Sequence, residues 1–498
     1  MSLIFSRLHR RFHPGAIHRR DFLKTTLAAA AGLIAGGTAF AAPRSNARRV
    51  IVVGGGFAGL ACAHELRARG INVTVLEARK RTGGRVLTFR DFVRGANVEG
   101  GGELIGANHP AWQGYAKKFG LGMRHVTEDE DAEFPVILGG KRLTAKESEV
   151  LYKEMDAAYA TMIADAKPVD ADAPWQSPNA AALDHRTTAQ WLRDIKASKT
   201  CKQALATELQ NNNGVVLSRQ SYLGNLTQVK GGGLEKYFTD SELYRCRSGN
   251  QSLATALAES IGESRIRHET PVRSIRLLAD KVIVTTQAGE SIEGDEVVLA
   301  VPPPVWNRMV ITPGLPSGLN PQFGTVAKFL TAVRGRFWKR HKLAPEALTD
   351  TMLGLTWEST DGQSTAHGAC LACFTGGPMA ERASRSGNSG THEGLRKAVA
   401  EIYAEEPQQC LGSRFVDWPN DRLAGGGYSF PAPGQVTTVG PQLVTAHGRL
   451  HLAGEHTCYK FVGYMEGALQ SGIRVAKSIT REAVHHTAAA AAPAMATA

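Results

Sequence analysis

The stretch RRVIVVGGGFAGLACAHELRARGINVTVLEARKRTGGRV limits the possible fold more than any other part of the chain. Its apolar run from Val50 to Val53 predicts a short buried strand. Gly54, Gly56 and Gly59 then form G-x-G-x-x-G, a helical stretch runs to about Arg69, and Val73 to Leu76 predict a second strand ending at Glu77. In this strand–turn–helix–strand frame the glycines serve a tight turn, close approach of a pyrophosphate, and close packing of helix on strand. The helix N-terminus, with Phe57 and Ala58 at its start, turns its positive dipole end toward the phosphates. Glu77 stands where a carboxylate grips ribose hydroxyls. The expectation is an α/β fold with a Rossmann-like domain.

A chain of 498 residues is too long for one ordinary domain, so two are expected. Hydrophobic residues at 43% and charged residues at 21% suit a soluble globular protein whose core can enclose a bulky ligand. The formal charge is +12, but residues 1–41 bias it, with Arg7, Arg10, Arg11, Arg19, Arg20 and Lys24 against Asp21. The remaining basic charge is dispersed, and no basic run is interleaved with aromatics, which argues against a nucleic-acid partner. The seven cysteines are too sparse for a disulfide framework. Cys370 and Cys373 form C-x-x-C inside the apolar run GACLACFTGG, with no second ligand pair, and so predict core residues and no metal site.

The N-terminus predicts a targeting segment rather than structure. Arg19 and Arg20 open an Arg-Arg-Asp-Phe-Leu-Lys string, a weakly apolar Ala/Gly stretch follows, and Ala39 and Ala41 flank Phe40. This order fits a twin-arginine signal peptide over 1–41, with release into the periplasm after cleavage near Ala41 and no remaining membrane span. Folded export suits a protein that takes up a cofactor before it leaves the cytoplasm.

Five stretches together resemble the flavin amine oxidase family, which includes monoamine oxidases, polyamine oxidases and L-amino-acid oxidases. The first is the fingerprint. The second is EARKRTGGRV, with Ala78, Arg79, Gly84 and Arg85, similar to the second phosphate-contacting motif of FAD enzymes. The third is VEGGGELIG, with Gly101, Gly102 and Glu103, which resembles the Gly-Gly turn beside the flavin. The fourth holds Val272, which resembles a valine at the adenine end. The last, LAGEHTCYKFVGYMEGALQSG, carries Gly454, Glu455, Gly463, Tyr464 and Met465 and resembles the segment returning to the ribityl chain and isoalloxazine. The resemblance runs from about residue 48 to 482. It implies non-covalent FAD, because Gly427 stands where monoamine oxidases place the cysteine that binds the flavin. It also assigns Glu455 to the ribityl chain and Met465 to the flavin region.

The implied architecture is a GR2-type FAD-binding domain in three pieces, 47–140, 240–305 and 415–485. An α+β substrate domain, 141–239 and 306–414, is inserted between them. Residues 141–230 read largely as helix, and the triple proline from Pro302 to Pro304 marks a crossing between domains. Residues 486–498, rich in alanine, predict an unstructured tail.

The chemistry falls to few residues. Lys328 sits among apolar neighbours in VAKFL, a costly place unless it is partnered or reaches water at a strand edge. The resemblance implies that it bonds through water to flavin N5. Tyr428, in step with Trp418, and Tyr464 correspond to the two walls of an aromatic cage that directs an amine toward N5. Leu104 occupies the place where many amino-acid oxidases of the family have a carboxylate-binding arginine. Glu103 beside it would repel a substrate carboxylate or hold a second cationic group, and Arg90 could reach in from elsewhere.

The implied activity is hydride transfer from the amine α-carbon to flavin N5. The resulting imine hydrolyses to a carbonyl compound and ammonia, and O2 (forming H2O2) or another acceptor reoxidises the flavin. Alternatives on the same fold are an L-amino-acid oxidase or dehydrogenase, an isoprenoid desaturase and a non-catalytic flavoprotein.

Overall fold

The computed structural model describes residues 3–12, 48–127, 132–364, 368–385, 388–403 and 406–490. At its centre is a parallel five-stranded sheet in the order Leu450–Leu452, Glu296–Leu299, Arg49–Val53, Asn72–Leu76, Ile266–Arg267. The fingerprint strand lies in the middle and is buried on both faces from Val50 to Val53, which explains its unbroken apolar run. The first, third and last pieces of the chain thus meet in one sheet.

The fingerprint helix, Phe57–Ala68, packs between this sheet and the C-terminal helix Met465–Ala490. Glycine sets both distances. A Cβ on Gly59 would run into the Gly54 carbonyl oxygen, and one on Gly472 into the Ala58 carbonyl oxygen. Gly54 itself has φ +108°, in the region where only glycine is unstrained.

A four-stranded sheet, Ser291–Gly294, Val282–Thr286, Val272–Leu277 and Val310–Thr312, adjoins the first. A seven-stranded sheet forms the other half of the molecule. Its order is Cys410–Val416, Val326–Val333, Ala369–Gly376, Leu355–Glu358, Ala347–Thr349, Val136–Leu138, Lys141–Arg142. Helices Ala145–Ala166, Lys199–Asn213 and Tyr222–Gly231 accompany it, the first opened by a Thr144–Glu147 capping box.

Two strands fall on the other side of the expected domain limits. Val136–Leu138 lies within 47–140 but pairs in the seven-stranded sheet, and Val310–Thr312 lies within 306–414 but pairs with Val272–Leu277. Cys370 and Cys373 are buried in the strand Ala369–Gly376. The last helix continues to Ala490, into the stretch expected to be an unstructured tail.

The start of the chain also differs from expectation. Leu3–Phe12 is a helix packed on the substrate half. The Phe5 ring lies 4.9 Å from Tyr159 and 5.8 Å from both Tyr152 and Phe238, and Arg7 pairs with Glu346 at 2.9 Å. An amphipathic segment has an apolar face to bury wherever a groove is offered, whether or not its sequence also carries an address. Arg19, Arg20, Ala39 and Ala41 lie outside the described residues. Among the described residues no helix is long and apolar enough to cross a membrane.

The glycine contacts yield a stability test. Gly59→Ala forces a Cβ against a backbone oxygen that cannot yield, and overpacking of this kind costs about 1–3 kcal/mol. Gly114→Ala, in the helix Pro110–Lys118 with open space at its Cβ, raises stability by about 0.5–1 kcal/mol. Thermal unfolding of the two variants moves in opposite directions; a Gly59→Ala protein with unchanged Tm contradicts the packing argument.

Candidate active site

A cavity of about 930 Å³ runs between the parallel sheet and the seven-stranded sheet. That is the upper part of the range for ligand pockets, roughly 300–1,000 Å³. Every site residue named from the sequence lines it except Gly59, whose place is against Gly54, and Arg90.

At one end the fingerprint turn and Glu77 form a cradle. Glu77 Oε2 accepts from Gly55 N at 2.7 Å and its Oε1 from Arg79 N at 2.7 Å. Gly56 has nothing within 4 Å of where its Cβ would be, so its backbone faces open cavity at the helix N-terminus. The arrangement fits a dinucleotide: backbone N–H groups for a pyrophosphate, an open approach where a side chain would intrude, and a carboxylate at the strand end. Val272 lines the same end with Thr270 and Gln287. Arg79 lies in a bidentate pair with Asp421 at 2.7 and 3.1 Å, a partner that the sequence reading missed.

In the middle, the chain's late return is tied to its beginning. Glu455, which the resemblance assigns to a ribityl chain, lines the cavity, and its carboxylate also accepts from the protein. Oε1 accepts from Arg85 at 3.0 Å and Ser429 N at 3.1 Å, and Oε2 from Gly463 N at 2.8 Å. Its role is to join three segments around the cavity. Arg85 also donates to the Gly427 carbonyl at 2.6 Å. Ala78, Gly84 and Gly454 contribute backbone to the wall, and Trp418 donates Nε1–H to the Gly100 carbonyl at 3.1 Å. A Cβ on Gly102 would press on the Met465 side chain at 2.9 Å, so the turn and the returning segment are in close contact here.

Beyond this lies the lysine. Lys328 sits in Val326–Val333, flanked by paired strands on both sides and 5% exposed, so the strand-edge reading fails. Its Nζ donates to the Glu99 carbonyl at 3.2 Å, the Gly101 carbonyl at 2.9 Å and Glu103 Oε2 at 2.8 Å. All three ammonium protons therefore have protein acceptors, which differs from the expected water-bridged contact: a water could be bonded only by displacing one of them. Lys328 also lies over the Trp357 ring at 5.2 Å.

Glu103 is correspondingly not available to a substrate. Its Oε1 accepts from Arg245 Nε at 2.8 Å, Trp357 Nε1 at 2.9 Å and Ser359 Oγ at 3.0 Å. Burial pushes its carboxyl upward, but Lys328 and Arg245 outweigh that and hold it below the usual range. Neighbouring Glu99, bonded by Asn250 N and Thr88 Oγ1, is pushed by burial up to about 7.

Tyr428 and Tyr464 complete the wall. The Tyr428 hydroxyl donates to the Asn212 carbonyl at 2.6 Å. Tyr464 is held edge-on by His109 at 5.3 Å and Phe461 at 6.2 Å. Burial raises both phenols, so they remain neutral. Leu104, Trp357, Phe374, Asn212 and Glu242 line the cavity beside them. Of these only Leu104 was foreseen; the others lie in stretches with no motif. None of the seven cysteines lines the cavity, and a Cβ at Gly427 would collide with the Val326 side chain. A flavin here is held non-covalently. Arg90 does not reach the wall; it is exposed and bonds Ser248 O and Ser252 Oγ.

Removing one charge of a buried pair leaves the other uncompensated, at a cost of about 3–5 kcal/mol. Glu103→Gln is therefore strongly destabilising, because Lys328 and Arg245 are left facing each other. Adding Lys328→Met to it recovers part of the loss. Chemical denaturation of the single and double variants measures this, and a double variant less stable than the single one contradicts the pairing.

The model of the family "Flavin containing amine oxidoreductase" matches residues 57–480. Flavin-containing amine oxidase A of Equus caballus is 28% identical over 457 residues, covering 86% of this chain and 84% of that protein. Flavin-containing amine oxidase B of Mus musculus is 29% identical, covering 87% and 86%. Among solved structures, cyclohexylamine oxidase from Brevibacterium oxydans IH-35A superposes with a TM-score of 0.79 at 24% identity, covering 88% of this chain and 99% of that one. Putrescine oxidase with bound putrescine gives 0.79 at 23%, covering 87% and 99%. The cradle, the returning segment and the paired tyrosines thus sit in a chain that belongs to the flavin-containing amine oxidoreductase family, an FAD-dependent oxidoreductase acting on amines.

Proposed function

We propose that the protein oxidises a small amine at the carbon next to nitrogen, giving an imine that water hydrolyses to a carbonyl compound and ammonia or a smaller amine. The observation that carries this reading is the wall formed by the neutral pair Tyr428 and Tyr464, with apolar Leu104 beside them. FAD, when bound, supplies the hydride acceptor for the α-carbon and passes the electron pair to O2 or another acceptor. Gly54, Gly56 and the start of the helix at Phe57 and Ala58 take the pyrophosphate, Glu77 the ribose, and Val272 the adenine end. Tyr428, fixed through its hydroxyl, and Tyr464 orient the amine between their rings. Lys328 acts through the turn it holds, fixing the Glu99 and Gly101 carbonyls beside the reacting end, and through its positive charge.

The arginines near the wall support an amine over an α-amino acid. A substrate carboxylate is best held by a planar guanidinium with free donors. Arg85 is engaged by Glu455 and Gly427, and Arg245 by Glu103 and the Glu358 carbonyl. Anaerobic mixing of the holoprotein with tyramine, phenethylamine and 1,4-diaminobutane, against the twenty L-amino acids and a polyene, tests the reading. An amine bleaches the flavin faster than any other compound. An amino acid or polyene with clearly higher efficiency overturns it.

We also infer export by the twin-arginine route, from the Arg19–Arg20 pair and the small-residue stretch to Ala41. The double substitution Arg19→Lys, Arg20→Lys then retains the protein in the cytoplasm, as cell fractionation reads; continued appearance in the periplasm refutes it.

A further inference from the structure

Glu242 lies in the turn between helix Glu235–Asp240 and strand Tyr244–Cys246. Leu243 donates its N–H to the Ile105 carbonyl at 3.0 Å, which pins this turn beside Leu104. The Glu242 side chain lines the cavity with Asn212, Tyr428 and Tyr464. Its Oε2 is closed off from solvent and has no hydrogen-bond partner, and Asn212 Nδ2 has none either. A buried polar atom left unbonded is costly, more so when charged. A carboxylate oxygen in that condition on a cavity wall marks a place that a bound molecule completes.

The chemistry of that molecule follows from the surroundings. The other carboxylate at this end, Glu103, is fully bonded. Lys328 and Arg245 are held by Glu103. Arg7 attracts Glu242 but is paired with Glu346 at 2.9 Å; Glu208 and Glu103 add negative potential. The phenols of Tyr428, Tyr464 and Tyr237 are neutral neighbours, raised by burial. The remaining wall, with Leu104, Leu355 and Phe374, suits a hydrocarbon chain. The best complement to a carboxylate in these surroundings is a cationic donor, and the reacting nitrogen cannot supply it lastingly. That nitrogen must lose its proton before its α-hydrogen leaves as hydride.

We propose that Glu242 binds a second, non-reacting ammonium group of the substrate, so that the site selects aliphatic diamines over monoamines of equal length. This rests on the amine-oxidation reading above. Neither an α-carboxylate nor a methyl terminus satisfies the buried oxygen. Asn212 Nδ2 does not bond the ammonium, since both are donors. Burial pushes the Glu242 carboxyl up to about 7. The group is therefore ionised and able to hold a cation above that pH, and becomes neutral as the pH falls through it.

The test compares 1,4-diaminobutane with n-pentylamine, in which a methyl replaces the second ammonium, by steady-state kinetics of the FAD-loaded protein. The kcat/KM ratio favours the diamine by roughly tenfold to a hundredfold, the worth of one charged hydrogen bond. The difference lies mainly in KM. In Glu242→Gln the ratio falls to near one, Glu242→Asp restores part of it, and in the wild type it declines as pH is lowered through about 7. A wild-type ratio near one, a ratio unchanged in Glu242→Gln, or a ratio flat with pH overturns the proposal. In those cases amine oxidation itself stands as long as n-pentylamine reduces the flavin. If neither compound reduces it, the diamine proposal falls, and amine oxidation is decided by the aryl amines of the wider panel. Should Glu242→Gln not retain FAD, the Asp variant and the wild-type pH profile decide.

Discussion

Glu103, itself buried, accepts four hydrogen bonds, from Lys328, Arg245, Trp357 and Ser359. Lys328 comes from strand Val326–Val333, Trp357 and Ser359 from strand Leu355–Glu358 and its end, and Arg245 from strand Tyr244–Cys246, so this carboxylate holds the Gly-Gly turn of the nucleotide half against the seven-stranded sheet. Lys328 extends the same tie by bonding two carbonyls of the turn. Buried ion pairs add little net stability over a well-packed apolar alternative, but they strongly penalise any arrangement that separates them. The pair therefore acts on registry: the two sheets meet in one relative position, and the cavity wall between them is fixed by it.

A second carboxylate works in the same way farther along. Glu455 joins Arg85, Ser429 and Gly463, just as Asp421 takes Arg79. The cavity's charged side chains thus largely bond to each other, leaving backbone groups and rings exposed to a ligand. That division keeps the site shaped without making it strongly charged, which suits a large cofactor and a small amine lying end to end.

The glycines were legible in the sequence because their constraint is local. Gly54 needs a positive φ and Gly59 and Gly472 need backbone contact, and no other residue meets those demands. The central strand was legible for a similar reason, since burial on both faces imposes a continuous apolar run. The roles of Glu103 and Glu455 were not. Both line the cavity, but every donor to Glu103, and Arg85 among those to Glu455, lies more than a hundred residues away. Glu242, Arg245 and Trp357 carried no signal at all, because a single polar residue in a turn or strand has no periodicity to betray it. The Val136–Leu138 strand was assigned to the wrong side because sheet membership is settled by pairing with Leu348 and Thr349, far along the chain.

The middle strand of the parallel sheet comes from the chain's beginning, while an edge strand and the helix that seals the fingerprint helix come from its end. Gly472 meets Ala58 only after all of the chain between them has been made. A ribosome emits the pyrophosphate cradle early but its cover last, so the nascent domain cannot close in N-to-C order as the chain emerges. A protein shortened before residue 465 would lose the wall behind the cradle as well as a tail.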